Sequence, residues 1–179
     1  MTRISPAIRT KANKIRLLLL DVDGVLTDGQ IIIDDKGVET KHFDVRDGQG
    51  IALLKHAGID VGFVTGRSSK TVQYRAQELG IQIVYQGIQD KGDAYETIKL
   101  RCGLADEHVA YVGDDIVDLP ILRRAGLAIT VKDGWVGLGT VVDYVTEAKG
   151  GRGAVREIAE LLLKAKRKWT EITRRYYEF

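Results

Sequence analysis

Aspartates recur in this 179-residue sequence at the points where short apolar runs end. Asp21 and Asp23 follow the run at 17–20, and Asp114 follows another run at 109–112. Carboxylates gathered from separate segments, with no cysteine or histidine among them, suit a hard cation that prefers oxygen ligands, and Mg²⁺ is the simplest choice. The sequence therefore predicts a magnesium site.

A hydroxyl and an ammonium group accompany these carboxylates. Thr65 directly follows a third apolar run, at 61–64, and Lys91 opens a predicted helix. Both groups suit the oxygens of a phosphate. Together with the metal site they predict phosphoryl transfer, in which catalysis consists mainly of positioning and charge neutralisation.

An alternation of strands and helices would bring these side chains together. The short apolar runs alternate with helical stretches that are each followed by glycine within a few residues. Predicted strands lie at 17–20, 61–64, 81–85 and 109–112, with weaker candidates at 127–131 and 141–145, and predicted helices lie at 48–57, 68–79, 91–101 and 115–125. This order is typical of an α/β protein with a Rossmann-like parallel sheet and helices on both faces. Ligands of such sheets bind beyond the carboxyl ends of the strands.

Two segments depart from the alternation. Residues 29–43 contain two apolar stretches around an Asp-Asp-Lys-Gly turn, which predicts a β-hairpin. After Gly153 the chain contains no glycine or proline, and apolar residues at spacings of three and four predict one long helix and a basic tail over 153–179. We expect the first half of this helix to pack on the sheet. We expect its last turns to contact another chain through Trp169, Tyr176, Tyr177 and Phe179.

Composition limits the class of protein. The net charge is only +2, yet residues 17–151 carry 21 acidic against 14 basic side chains, and 16 of the acidic ones are aspartate. Aspartate is a poor helix former, so this excess indicates loop ends, helix caps or a cation site. The length predicts a single domain over 1–179.

Several partners and locations are disfavoured. A single cysteine excludes an intrachain disulfide framework and fits a reducing cytoplasm, where we expect the protein to be. No apolar run is long enough to span a bilayer, and no secretory signal is recognisable, so no membrane partner is expected. Nucleic-acid binding through the basic ends is a possible function, but no recognition motif supports it, and we expect no nucleic-acid partner.

The motifs together resemble the haloacid dehalogenase superfamily of phosphohydrolases. The resemblance rests on four segments in that superfamily's order: Asp21-Val-Asp-Gly-Val-Leu-Thr-Asp28, Val64-Thr-Gly-Arg67, Lys91 and Gly113-Asp-Asp-Ile-Val-Asp118. It implies that Asp21 is the nucleophile, which forms an aspartyl-phosphate, and that Asp23 is the general acid and then the general base. It also implies that Mg²⁺ is held by Asp21, the main-chain carbonyl of Asp23, and Asp114.

The same resemblance gives roles to the remaining polar residues of the motifs. Thr65 and Lys91 would bind the phosphoryl oxygens, so both count as catalytic, and Lys91 also counts as substrate-binding. Asp115 and Asp118 would support the site by orienting water and Lys91. For Asp118, simple placement in the first turn of a helix explains the residue equally well.

The spacing of the motifs leaves no room for a cap domain. The first gap, which follows the Asp21–Asp28 motif, holds the hairpin and one helix. The second gap, between Thr65 and Lys91, holds a helix and a strand. An uncapped site must accept a large substrate or be closed by a neighbouring subunit. The second option is favoured because residues 15–163 resemble the uncapped phosphatases that hydrolyse 3-deoxy-D-manno-octulosonate 8-phosphate, a sugar-acid phosphate of lipopolysaccharide biosynthesis. The segments that carry this likeness are Asp21–Gly29 with the hairpin, Phe43–Ile51, 65–69, Val72–Ala76 and Gly150–Glu157.

This closer resemblance implies a homotetramer in which hairpins make the subunit contacts and neighbouring chains complete each site. It also implies a set of substrate-binding residues: Asp44, Arg46, Asp47, Gly48, Gly66, Arg67, Arg75 and Lys91. Planar guanidinium groups suit a substrate that carries both a carboxylate and a phosphate.

Two alternative activities remain. A sialic or deaminated sialic acid 9-phosphate phosphatase shares the uncapped plan, and the loop at 128–139, which departs from the family pattern, leaves this nine-carbon substrate open. A non-enzymatic phospho-receiver domain also places Asp, Thr and Lys at strand ends. The Asp21-x-Asp23 pair argues against a receiver, because a receiver needs no acid for a leaving group.

Overall fold

The structure is a computed structural model that describes residues 4–177. Phe179, which the sequence assigned to the tail contact, lies outside the described residues. The strands of the described part are β1 (Leu17–Leu20), β2 (Ile32–Ile33), β3 (Glu39–Thr40), β4 (Asp60–Val64), β5 (Ile83–Tyr85), β6 (Val109–Gly113), β7 (Leu127–Thr130) and β8 (Tyr144–Val145). Within residues 4–177, six of them form one parallel sheet in the order β5-β4-β1-β6-β7-β8, and β2 and β3 pair antiparallel as a separate hairpin.

Helices cover both faces of the sheet. They are α1 (Pro6–Lys14), α2 (Val45–His56), α3 (Lys70–Glu78), α4 (Lys91–Cys102), α5 (Leu119–Leu122), α6 (Ala154–Ala165) and α7 (Trp169–Thr173). Short 3₁₀ segments occupy Asp106–His108, Ile116–Asp118, Val136–Thr140 and Arg174–Tyr176. Among the described helices, none has the length and hydropathy of a membrane-spanning segment.

The unbroken apolar sequence of β1 follows from its central position in the sheet. Leu18 and Leu20 face one apolar layer, with residues of α1, α2, α3 and α6, whereas Leu17 and Leu19 face the other, with residues of α4 and α5. Successive side chains of a strand point to opposite faces, so a strand covered on both faces must be apolar throughout. The predicted α/β fold with helices on both faces and a β-hairpin is confirmed.

Some predicted elements are shorter than expected. The hairpin pairs only two residues per strand, β8 covers only the end of the predicted strand at 141–145, and the predicted helix at 115–125 is a 3₁₀ turn followed by the short α5. The two gaps that could hold a cap contain the hairpin with α2, and α3 with β5.

The prediction of one long helix after Gly153 is wrong. Helix α6 ends at Ala165, and Arg167 adopts a left-handed conformation with φ of 59°. The chain then reverses, and Trp169 and Ile172 pack back against the core of their own chain. Tyr176 and Tyr177 remain exposed. The expected contact of the tail with another chain stays a prediction.

Candidate active site

A cleft of about 250 Å³ opens at the carboxyl ends of β1, β4 and β6. It is lined by Asp21, Asp23, Thr65, Gly66, Arg67, Ile88, Gln89, Lys91, Asp114, Asp115 and Val117. Every residue in the predicted nucleophile, acid–base, phosphate-binding and metal-binding roles is therefore in one place. The parallel sheet accounts for this, since it aligns the ends of its strands along one edge.

Three carboxylates meet at the floor of the cleft. Oxygen atoms of Asp21, Asp114 and Asp118 lie within 4.8 Å of one another. Asp114 fits there because Gly24 has no side chain: a Cβ atom on Gly24 would lie 2.1 Å from Asp114 Oδ2. Carboxylate oxygens at this spacing are a donor set that suits Mg²⁺.

The carboxylates disfavour each other's ionisation. Burial raises the pKa of Asp21 to about 6, although the charge of Lys91 opposes the shift. Burial also raises the pKa of Asp114 to about 8, and the negative charges of Asp21 and Asp118 add to this increase. A divalent cation among these groups would favour the ionised form of each, so the residues present fit the predicted metal.

Lys91 links Asp21, the predicted nucleophile, to Asp118. Its Nζ lies 3.0 Å from Asp21 Oδ2 and 2.6 Å from Asp118 Oδ1. Burial opposes its positive charge, but the charges of Asp21 and Asp118 outweigh this and raise the pKa of Lys91. Asp90 caps α4 by accepting hydrogen bonds from the N–H groups of Gly92 and Asp93, so the first helical residue, Lys91, is held at the rim.

Asp118 is fully buried, and its carboxylate accepts four hydrogen bonds. Its Oδ2 accepts hydrogen bonds from the backbone N–H groups of Asp114 and Asp115, at 2.9 and 3.1 Å. Its Oδ1 accepts hydrogen bonds from Lys91 Nζ and from the hydroxyl of Tyr111, at 2.6 and 2.5 Å. Asp118 thus both closes the turn after β6 and holds Lys91. Sequence reasoning missed Tyr111, because it lies inside an apolar run that predicts only a buried strand.

Asp23 is contacted by Lys41 of the hairpin, and a second hairpin residue, Glu39, links Lys41 to Arg67. Lys41 forms an ion pair with Asp23 Oδ1, and Glu39 lies between Lys41 and Arg67. The hydrogen bond from Arg67 lowers the pKa of Glu39 to about 2, so Glu39 is ionised. Sequence reasoning missed Glu39 and Lys41. Their spacing of two residues, which places both on one face of a strand, was the available signal.

The remaining predicted substrate-binding residues do not line this cleft. Asp44 and Arg46 pair with each other beside a second cleft that also includes Asp28 and Arg152. Asp47 is buried and accepts the N–H groups of residues 153 and 156 at the start of α6.

Gly48 and Arg75 lie together, away from the nucleophile. A Cβ atom on Gly48 would come within 2.4 Å of Arg75 Nη2, so the glycine makes room for the arginine. Arg75 also pairs with Glu78 at 2.8 Å and lies over the ring of Phe43. Within one chain, these residues and the nucleophile form separate groups.

Comparison with known proteins gives consistent results. Residues 38–126 match the model of the haloacid dehalogenase-like hydrolase family. The chain is 47% identical to the 3-deoxy-D-manno-octulosonate 8-phosphate phosphatase of Salmonella typhimurium over 168 residues, which is 94% of this chain and 89% of the relative. The phosphatase of Escherichia coli K12 is 46% identical over the same shares of both chains.

Solved structures of the same kind superpose closely. The phosphatase from Moraxella catarrhalis, solved with magnesium, phosphate and the sugar acid KDO, gives a TM-score of 0.92 at 45% identity and covers 94% of this chain and 97% of its own. The Yersinia pestis enzyme gives a TM-score of 0.90 at 45% identity and covers 91% of this chain and 88% of its own.

Proposed function

The chain belongs to the 3-deoxy-D-manno-octulosonate 8-phosphate phosphatase family of haloacid dehalogenase-like hydrolases, and we propose how its own residues carry out that reaction. It is a Mg²⁺-dependent phosphoric monoester hydrolase that converts this sugar-acid phosphate to the free sugar acid and phosphate. The observation that carries the proposed mechanism is the cleft in which Asp21, Asp23 and Lys91 come together.

Asp21 acts as the nucleophile. A carboxylate oxygen of Asp21 attacks phosphorus, and the bond between phosphorus and the sugar oxygen breaks as the aspartyl-phosphate forms. Asp23 donates a proton to the departing sugar oxygen. Asp23 then takes a proton from a water molecule that attacks the aspartyl-phosphate, which releases inorganic phosphate and restores Asp21. In support of this role, Asp23 Oδ2 is buried at the cleft and accepts no hydrogen bond from the described residues.

The neighbouring residues hold the phosphate and offset its charge. Thr65 is buried at the end of β4, and Lys91 lies beside the nucleophile, so both are suited to bind phosphoryl oxygens. Mg²⁺, held by Asp21, the main-chain carbonyl of Asp23, and Asp114, would neutralise charge between the two anionic reactants. Asp115 and Asp118 support this group, and Gly66 and Arg67 at the mouth of the cleft contact the sugar acid.

Neighbouring subunits complete the substrate site in this proposal. The hairpin exposes Ile31, Ile33 and Val38, each by more than half, as a surface for contacts in a homotetramer. Assembly would bring Asp44, Arg46 and Arg75 to a neighbouring cleft. The other two predicted substrate-binding residues, Asp47 and Gly48, are buried and would support this surface from within their own chain. We further propose that residues 1–179 form one phosphatase domain that acts in the cytoplasm, in lipopolysaccharide biosynthesis, with no nucleic-acid or membrane partner.

Turnover of eight-carbon and nine-carbon sugar-acid phosphates, with Mg²⁺ or with EDTA, tests this function. We expect hydrolysis of the eight-carbon ester with Mg²⁺, abolition by EDTA, and a loss of at least about 10³-fold in Asp21→Asn because the nucleophile is removed. Asp60→Asn is the control, since Asp60 is exposed at the opposite end of β4. An unchanged rate in Asp21→Asn would contradict the mechanism, and preferred turnover of the nine-carbon ester would change the substrate.

A further inference from the structure

Lys41 is a buried lysine outside the predicted site. Its side chain is 1% exposed, although it comes from the hairpin, whose other side chains largely face solvent. Removing an ammonium group from water is unfavourable unless anionic partners surround it, so buried lysines are almost always paired. Two such partners are present here, and one of them is the proposed acid–base, Asp23.

The contacts form a chain from the acid–base to the mouth of the cleft. Lys41 Nζ pairs with Asp23 Oδ1 and lies 3.3 Å from Glu39 Oε1. The same Glu39 oxygen accepts a hydrogen bond of 2.7 Å from Arg67 Nη2. Arg67 Nε lies 3.9 Å from Asp23 Oδ2, which is too far for a hydrogen bond. Glu39 thus holds the arginine, and Lys41 holds the aspartate.

This arrangement leaves the two oxygens of Asp23 in different states. Oδ1 is bound to Lys41, whereas Oδ2 is buried and has no hydrogen-bond partner among residues 4–177. A carboxylate fixed at one oxygen cannot rotate freely, so its other oxygen keeps one direction. Without Lys41, the nearest cation to Asp23 would be Arg67, and a hydrogen bond from Arg67 would occupy the free oxygen.

We propose that Lys41 is a positioning residue for Asp23: by binding one carboxylate oxygen it keeps the other free and aimed for proton transfer. The inference rests on the proposed function, in which Asp23 is the acid–base. It gives the hairpin a role inside its own subunit's site, because the strand that returns from the hairpin delivers Lys41. Lys41 itself does not line the cleft, and its ion pairs are with Asp23 and Glu39.

Substitution of Lys41 tests the first consequence. In Lys41→Met, which keeps the length of the side chain and removes its charge, we expect kcat for the sugar-acid phosphate to fall by between about 10-fold and 100-fold while KM changes little. Lys41→Arg retains the charge and should recover part of the loss. Lys36→Met is the matched control, since Lys36 is exposed at the turn of the same hairpin, and its activity should equal that of the unsubstituted enzyme. A change in KM alone would overturn the proposal.

A double-mutant cycle with Asp23→Asn separates positioning from a general structural role. The readout is steady-state release of inorganic phosphate from the sugar-acid phosphate at raised enzyme concentration, because both half-reactions of this substrate need proton transfer by Asp23. We expect Lys41→Met to have no further effect in the Asp23→Asn background. Equal fold-losses in both backgrounds would overturn the proposal. Thermal unfolding followed by circular dichroism shows whether Lys41→Met folds. If it does not, Lys41→Gln, which also removes the charge, provides the same cycle.

The cycle also distinguishes this proposal from the proposed function. If Asp23→Asn alone leaves turnover of the sugar-acid phosphate unchanged, Asp23 is not the acid–base, and the mechanism and the role of Lys41 fail together. If Asp23→Asn lowers turnover by about 100-fold or more and the effect of Lys41→Met simply adds to it, the mechanism holds and only the role of Lys41 fails.

Discussion

Among single residues, Gly24 controls how closely the backbone approaches the carboxylate of Asp114, which is a proposed metal ligand. Gly24 has a φ of +89°, and a Cβ atom there would lie 2.1 Å from Asp114 Oδ2. A side chain at this position would therefore strain the backbone and displace Asp114 from Asp21. Displacement of Asp114 is specific to the proposed metal site, whereas backbone strain would occur at any glycine with positive φ.

We predict that Gly24→Ala weakens Mg²⁺ binding by between about 10-fold and 100-fold, as measured by isothermal titration calorimetry. Gly37→Ala is the matched control. Gly37 has a φ of +76°, but no described atom lies within 4 Å of a Cβ placed there. The control should lose about 1 kcal/mol in free energy of unfolding and bind Mg²⁺ normally. Equal Mg²⁺ affinity in the two variants would show that Asp114 does not depend on Gly24.

Residues at strand ends were predictable from sequence, and residues that reach the site from elsewhere were not. Asp21, Thr65 and Asp114 each follow an apolar run, and a parallel sheet places the ends of such runs together. Lys41 and Tyr111 carry no such signal. Lys41 lies in a largely exposed hairpin and Tyr111 lies inside an apolar strand, and only the packed structure brings them to Asp23 and Asp118.

At the scale of elements, the end of α6 shows where a sequence pattern fails for a local physical reason. The N–H of Lys168 donates to the carbonyl of Leu163 at 2.9 Å, a hydrogen bond that requires a left-handed residue just before it. That residue is usually glycine, but here it is Arg167. Without a glycine the apolar periodicity runs on uninterrupted, so the sequence predicted one helix where the chain reverses.

We predict that Arg167→Gly raises the free energy of unfolding by about 1 kcal/mol, because glycine adopts the left-handed conformation without strain. Urea denaturation followed by circular dichroism measures the change. Lys166→Gly is the control: Lys166 has an ordinary φ of −78°, so glycine there should lower the free energy of unfolding. A loss of stability in Arg167→Gly equal to that of the control would contradict the proposed strain.

Across the whole molecule, the excess of aspartate has two explanations. Five aspartates surround the cleft, so the site is acidic although its substrate is an anion: Asp21, Asp23, Asp114, Asp115 and Asp118. Others cap helices, as Asp44 does for α2 and Asp90 for α4. The cations that offset the acidic group come from different elements, α4 for Lys91, the end of β4 for Arg67 and the hairpin for Lys41. Charge balance therefore depends on the assembled fold.

The hairpin is the element that would make the subunit contacts of the proposed homotetramer. Ile31 and Ile33 alternate on one face of its first arm, and each is 56% exposed. We predict that the double substitution Ile31→Asp, Ile33→Asp dissociates the proposed homotetramer, as measured by light scattering after size exclusion. The value of kcat/KM for the sugar-acid phosphate should then fall by between about 10-fold and 100-fold, because the proposed contacts from arginines of neighbouring subunits to the substrate would be lost.

Turnover of 4-nitrophenyl phosphate separates loss of assembly from loss of chemistry. That ester lacks the sugar acid, and the nucleophile, Lys91 and Asp114 all come from one chain, so its hydrolysis should persist in the dissociated enzyme. Leu100→Asp is the matched control, because Leu100 is 80% exposed on α4, away from the hairpin, and its charge should leave assembly intact. Monomers that retain full activity on the sugar-acid phosphate would show that each chain completes its own site.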